Sequence, residues 1–432
     1  MMLSIKNWQS LSQTEKKHYL TRPLQASSAK DKVQEIIKQV RTFGDDALFA
    51  FTEQFDGARL QSLQIPRQKI ENSCISKKSL TAITEAIKTI TLYHQSLLPE
   101  NKKICTAHGV TIDTTYRPIQ RVGLYIPGGN NTPLVSSLLM QAVPAVVAGC
   151  PIKILCTPPD ASGSINEHLL VAARLCGIDT IYTLGGAQAI AAMAYGTETV
   201  TKVDKIFGPG NRYVTEAKTL VASDPYGAAI DMPAGPSEVM IIADNQANPA
   251  FIAADLLAQA EHGVDSQVIL VCDTLQCAEQ VNQQLQVQFS TLSRAQIIQQ
   301  SMANSMIIVC AEKTEQLNII NSYAPEHLIL NRKDAESWIE EINSVGSIFL
   351  GPWAAETLGD YVTGSNHVLP TYGFARNHNG LSTLDFLTCF NVQSISTEGI
   401  RELGPSAIAL AQIEGLDAHA KAVEIRLASL EK

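Results

Sequence analysis

From Arg121 the chain repeats one formula: an apolar, strand-like run, a turn containing glycine, and a helical stretch. VGLYIP (122–127) passes through Gly128-Gly129 into LVSSLLMQAVPAVVAG (134–149). IKILCTPP (152–159) precedes INEHLLVAARLCG (165–177), and TIYTL (180–184) precedes Gly185-Gly186 and AQAIAAMAYG (187–196). DKIFGPGNRYVTEAK (204–218) has the same layout. Strands alternating with helices of this length predict βαβ units and a parallel sheet. Such a sheet takes its ligands at the carboxyl ends of its strands, over the first turns of the helices. Three glycine turns stand at those places: Tyr125 to Gly129, Gly185 to Gln188, and Gly208 to Asn211. Bare N–H groups at helix starts favour phosphate, so a dinucleotide pyrophosphate is a candidate guest. The GxGxxG fingerprint and the P-loop lysine pattern are both absent. Taken alone, any one of these turns reads as an ordinary tight turn of an α/β domain.

The 432 residues exceed one ordinary domain and predict two main domains with appendages. Hydrophobic residues make up 45% and charged residues 17%, the balance of a globular chain with large buried cores. A net charge of −9 argues against nucleic acid or an anionic membrane as partner. No apolar run is long enough to span a bilayer. The opening MMLSIKNWQS has no apolar signal core, which predicts a cytoplasmic location. The nine cysteines form no CxxC pair, and their irregular spacing does not describe a disulfide framework. Cys150 and Cys156 lie in apolar surroundings and read as small buried hydrophobes.

Residues 1–25 read as a polar helical arm. A helix follows in which Val33, Ile36, Ile37 and Val40 form a core-facing stripe. It ends at Phe55-Asp56-Gly57, and 68–98 is a second helical region. Chemistry gathers further along. The stretch 231–263 runs from a loop rich in Pro and Gly, carrying Asp231, Ser237 and Glu238, through an apolar strand into a helix. That helix places Gln259 and His262 on one face. Both can bind a metal, and His is the commonest protein ligand for zinc. Asp255 shares the face, and spacing does not choose between it and Gln259; Glu261 points away from His262.

SQVILVC (266–272) and SMIIVC (305–310) predict strands of a second α/β domain. Glu326-His327, after Pro325, reads with equal weight as a base and acid at one place or as a helix start with Glu at the positive end of the dipole. The polar, glycine-rich segment 346–386 carries Asp360, His367 and His378 and has the texture of a site lining. In the tail, Leu416, Ala420, Val423, Leu427 and Leu430 form a packing stripe with His419 beside it.

Taken together, these motifs resemble the L-histidinol dehydrogenases. The carriers are VGLYIPGG (122–129), GGAQAIAA (185–192), VDKIFGPGN (203–211), DMPAGPSE (231–238), QAEHG (259–263), APEHL (324–328), GSNHVLPT (364–371) and EGLDAHA (414–420). The resemblance spans about residues 30 to 425. It implies two Rossmann-like, aldehyde-dehydrogenase-like α/β domains with parallel sheets and small helical extensions at both ends. One domain would comprise 26–120 and 239–386, with the zinc and catalytic residues; the other would be 121–238, on the NAD side. The arm 1–25 would precede them, and a helical tail, 387–432, would form a homodimer.

By the same resemblance the substrate is L-histidinol, oxidised through a retained aldehyde to L-histidine in two NAD-dependent steps. One zinc ion per subunit would be held by Gln259, His262, Asp360 and His419, and Glu326 and His327 would be the catalytic pair. Substrate would meet Ser237, Glu414, His327 and the zinc ligands. NAD would meet Tyr125, Gln188 and Asn211, and Glu414 and His419 would act in the neighbouring subunit. The residue types suit this chemistry. Imidazole titrates near neutral pH, which fits His327 as the base for the hydride steps, and Glu326 is placed to activate water. Rival readings are a dehydrogenase of another amino alcohol, a cysteine-dependent aldehyde dehydrogenase, a zinc hydrolase and a non-catalytic nucleotide-binding protein. No cysteine lies in a polar glycine-rich loop, HExxH is absent, and the Glu-His pair is present.

Overall fold

A computed structural model describes residues 2–22, 29–128, 132–232 and 235–431. Gly129 and the Asn130-Asn131 turn, Pro233-Ala234, and arm residues 23–25 lie outside the described residues.

The repeated formula builds a five-stranded parallel sheet. In spatial order its strands are Thr180–Thr183, Ile152–Thr157, Arg121–Tyr125, Lys205–Phe207 and Ala229–Ile230. Chain order thus runs outward from Arg121–Tyr125 to one edge, then resumes on its other side. This is the strand order of a nucleotide-binding fold, with its switch point between Arg121–Tyr125 and Lys205–Phe207. Alternation along the strand sends Val122, Leu124 and Ile126 into one core and Tyr125 into the other.

Helices cover both faces, and each face carries a second layer. Lys77–Ser96 lies on Val135–Val147. Lys30–Asp56 lies on Gly186–Tyr195 and Arg212–Ser223. The grouping of 26–120 with 239–386 therefore needs correction, because residues 30–96 pack on the sheet of 121–230. The reason is shape. The small side chains of AQAIAAMAY let the stripe Val33, Ile37, Val40, Leu48 and Phe51 settle close against that helix. The long helix kinks at Gly44 (φ 53), where the next N–H, of Asp45, turns to the Glu198 carboxylate at 2.8 Å.

The second sheet has six parallel strands, in the order Ser4–Asn7, Met306–Val309, Gln267–Cys272, Glu238–Ala243, His327–Asn331 and Ser347–Leu350. Its centre repeats the outward-then-across topology. Val239, Ile241 and Ala243 face the helices Pro249–Ala260 and Leu275–Phe289, while Met240 and Ile242 face Lys313–Tyr323. The arm departs from a purely helical reading. Ser4–Asn7 is an edge strand, anchored because the Asn282 side chain holds both Leu3 N–H (2.8 Å) and Leu3 C=O (3.0 Å). Gln13–Leu20 is helical and packs on Lys313–Tyr323.

A three-stranded antiparallel sheet joins Lys102–Ala107, Val110–Pro118 and Leu387–Ile395. The tail thus opens with a strand before its helices, Thr397–Ile413 and Asp417–Ser429, pack on one another. No helix among the described residues is long and apolar enough to cross a membrane.

Candidate active site

Chemistry-bearing side chains converge at the amino edge of the six-stranded sheet. Glu238 and His327 are the first residues of neighbouring strands, with His327 opposite Val239. Glu326 precedes that strand, so Glu326-His327 is no helix start. Helix Pro249–Ala260 returns to the same edge and delivers Gln259 at its last turn, with His262 just beyond. Helix Glu356–Tyr361 brings Glu356 and Asp360 one turn apart on one face.

His327 is buried, and its two nitrogens have distinct surroundings. Nδ1 lies 3.2 Å from the Glu238 carbonyl, 3.5 Å from Glu356 Oε1 and 3.6 Å from Glu326 Oε2. Nε2 lies 3.8 Å from Asp360 Oδ1. Protonated Nδ1 donates to the Glu238 carbonyl, which leaves Nε2 facing Asp360. Burial disfavours the imidazolium, but Glu356, Glu326 and Asp360 outweigh it and hold His327 up at about 10. Burial also raises Glu356, to about 8, with Asp360, Glu326 and Asp255 adding to the effect and His327 opposing it. Burial likewise raises Glu326, whose Oε2 accepts the Glu238 N–H at 2.7 Å.

Gln259 is fully buried, one atom of its amide 2.5 Å from Glu356 Oε1 and the other 2.9 Å from the Glu238 nitrogen. The orientation that satisfies both neighbours donates to Glu356 and accepts from Glu238. To ligate a metal, the Gln259 carbonyl has to turn away from Glu238. His262 is 41% exposed, with Nε2 3.9 Å from Asp360 Oδ2. Glu356 Oε2 and His367 Nε2 are buried without a hydrogen-bond partner among the described residues. His327, Glu356 and Asp360 each offer a ligand atom within 4.8 Å of the others. Mixed nitrogen and oxygen donors, surplus carboxylate and unpartnered buried atoms fit a divalent cation such as zinc.

Sequence reasoning missed Glu356, although its spacing of four from Asp360 could have found it. Ser237 is half-buried at the head of Glu238–Ala243, and its carbonyl accepts the Gln267 N–H at 3.0 Å. Glu414 ends one tail helix and His419 lies in the first turn of the next. Both are exposed, and no hydrogen bond or ion pair among the described residues joins them to the Asp360 cluster. Around them Leu410, Ile413 and Leu416 are exposed apolar side chains.

The other three expected residues stand at the carboxyl edge of the five-stranded sheet. Tyr125 is buried, and its hydroxyl accepts the Gly186 N–H at 3.0 Å, tying two of the glycine turns together. Gln188 is buried in the first turn of its helix. Asn211 caps the next helix, accepting from Tyr213 and Val214 N–H at 3.0 and 3.2 Å. Gly208 (φ 117) lies so close to Tyr125 O that any side chain would collide with it. Its N–H donates to Asp231 Oδ2 at 2.8 Å, and Asp231 pairs with buried Lys218. Gln141 Oε1, beside Gly208, is buried without a hydrogen-bond partner among the described residues. A glycine cradle at a switch point, with an unpartnered acceptor, fits a dinucleotide.

The histidinol dehydrogenase family profile matches residues 20–427. The chain belongs to the histidinol dehydrogenase family. Histidinol dehydrogenase from Legionella pneumophila strain Philadelphia 1 is 70% identical over 429 residues, 99% of this chain and 100% of that protein. The Vibrio vulnificus YJ016 histidinol dehydrogenase is 48% identical over 427 residues, 98% of each chain. The crystal structure of histidinol dehydrogenase from Elizabethkingia anophelis matches with a TM-score of 0.96 at 42% identity, covering 100% of this chain and 99% of that one. The histidinol dehydrogenase family consists of oxidoreductases of histidine biosynthesis, so this chain is an oxidoreductase of that kind.

Proposed function

We propose that this site oxidises L-histidinol to L-histidine, through histidinal held in place, with two NAD+ and one zinc ion. The supporting observation is His327, buried with Nδ1 fixed by the Glu238 carbonyl and Nε2 directed at Asp360. A base in this tautomer and orientation suits removal of a hydroxyl proton. When bound, NAD+ accepts the two hydrides, and zinc binds the nitrogen donors of the amino alcohol.

The chain's own residues do the rest. Gln259, His262 and Asp360 would hold the metal from one subunit and His419 from the neighbour. A Gln ligand is weak enough to leave a position for substrate. Ser237 and the neighbour's Glu414 orient the substrate, which makes the metal chiefly a positioning device. A cation beside Asp360 would offset one of the carboxylates that hold His327 protonated, which would favour its base form. His327 takes the alcohol proton in the first step. Glu326 takes a proton from the water that adds to the aldehyde, and His327 acts again in the second oxidation. Tyr125, Gln188 and Asn211 face the dinucleotide.

The exposed apolar tail around Glu414 and His419 supports a homodimer in which each tail completes the other site. Work in amino-acid biosynthesis fits the cytoplasm. The test is NADH formation by the purified protein on L-histidinol. Two NADH per histidinol, lost on verified metal removal, support the reading. One NADH with released aldehyde, or full activity without metal, refutes it.

A further inference from the structure

We propose that Arg22, at the end of the N-terminal arm, is a positioning residue for Glu326 and His327 and acts through Glu238. This inference rests on the reading of that pair as catalytic. Glu238 touches the site with its backbone. Its N–H donates to Glu326 Oε2 at 2.7 Å and lies 2.9 Å from the Gln259 amide, while its carbonyl meets His327 Nδ1 at 3.2 Å. One peptide segment therefore sets the carboxylate of Glu326 and the tautomer of His327 together.

The side chain of Glu238 points the other way, into a buried ion pair with Arg22. Arg22 Nε donates to Oε1 and Nη2 to Oε2 at 2.7 Å, a two-pronged contact between side chains 8% and 2% exposed. A planar fork of this kind fixes direction as well as charge. The guanidinium also stacks on Tyr323, 3.9 Å from the ring centre.

Two further contacts link the pair to the backbone on either side of the site. Arg22 Nη2 donates to the Ala324 carbonyl at 3.3 Å, and Tyr372 N–H donates to Glu238 Oε1 at 3.1 Å. Ala324 (φ 52) and Tyr372 (φ 57) are the non-glycine residues with positive φ among the described residues. Backbone in that region persists where its surroundings hold it. Ala324 turns the chain from helix Lys313–Tyr323 into Pro325-Glu326-His327, and Tyr372 closes the segment that carries His367. The arm reaches this point by way of Trp8, whose Nε1 donates to Glu315 Oε2 at 2.9 Å on that same helix. The Arg22–Glu238 pair is thus the common tie of two strained corners and of the strand head that orients the catalytic pair.

The test compares Arg22→Met and Arg22→Lys with wild type and with Glu326→Gln. The measurements are kcat on histidinol and on histidinal, KM for NAD+, the pH profile of histidinal oxidation, and Tm. Small misplacements of reacting groups cost large factors, so kcat on histidinal is expected to fall by about tenfold to about a hundredfold in Arg22→Met. Arg22→Lys, which keeps the charge but lacks the fork, is expected to lie between. KM for NAD+ should stay near wild type, and the pH profile should shift, because Glu326 and His327 change surroundings. Folded variants with wild-type kcat and pH profile, and only a lower Tm, overturn the proposal. If Arg22→Met does not fold, Arg22→Lys decides by the same criteria. Normal histidinal oxidation by Glu326→Gln overturns the reading of Glu326 instead; an impaired Glu326→Gln beside unaffected Arg22 variants overturns this inference alone.

Discussion

Replacing Glu326 with Gln should separate the two oxidations. The substitution keeps size and shape, and the new amide oxygen can still accept the Glu238 N–H that Glu326 receives at 2.7 Å. Two electrostatic consequences differ in size. For the first oxidation, His327 loses one of three carboxylates, keeping Glu356 at 3.5 Å and Asp360 at 3.8 Å. Its proton affinity drops somewhat, and the rate should stay within about tenfold of wild type, equivalent to no more than about 1.4 kcal/mol. For the second oxidation the loss is of the group proposed to activate water. General bases contribute about 10² to 10⁴, so the barrier should rise by about 3 to 5 kcal/mol. The assay is rapid-mixing single turnover, with L-histidinol or histidinal as the starting substrate. The variant should yield one NADH per site from histidinol at near-normal rate, then stall, and react slowly with histidinal throughout. Equal losses in both half-reactions, or an unimpaired second step, would refute this division of labour.

Mixing a His327→Asn variant with a His419→Asn variant should restore part of the lost activity; none in verified mixed dimers would place His419 in its own subunit's site. Lys218→Met strands the buried Asp231 carboxylate and should cost about 3 to 5 kcal/mol of stability in denaturant unfolding, with a raised KM for NAD+ because Gly208 loses its anchor; wild-type stability and KM would contradict that. His94 is fully buried against Asn366 and Thr383, and burial lowers it from 6.5 to about 4. Its neutral form therefore contributes stability that is complete above pH 6.5 and is lost as pH falls toward 4, about 3 kcal/mol in all. His94→Gln should flatten the acid limb of a stability-versus-pH curve, and an unchanged limb would assign it to other groups.

Local patterns were readable and distant pairings were not. The strand–turn–helix units of 121–218 announced themselves because periodicity and glycine turns act within a few residues. Ser4–Asn7 gave no such signal, since it is a strand only because Met306–Val309 lies alongside. Leu387–Ile395 is likewise defined by Val110–Pro118, far away in sequence. The stripe of 33–40 showed that a helix would bury that face and left its partner open; the alanines of 187–194 supply the answer only in three dimensions. In the site, helical spacing paired Gln259 with His262 and left Asp255 as a rival. The fold places Gln259 against Glu356 and Glu238, contacts that no local pattern encodes. Glu356 was passed over because its neighbours His327 and Gln259 are distant in sequence.

The two parallel sheets use opposite rims, the smaller presenting Tyr125 and Gly208 at its strand exits and the larger presenting Glu238 and His327 at its strand entries. The strand exits of the larger sheet, around Asp244–Asn248 and Arg332–Asp334, therefore lie away from the proposed catalytic pair. Those turns hold one another, Asp244 Oδ2 accepting the Lys333 N–H at 2.8 Å and Arg332 pairing with Asp273 and Asp334, so changes there should alter stability while the proposed chemistry on the far side of the same strands stays as it is.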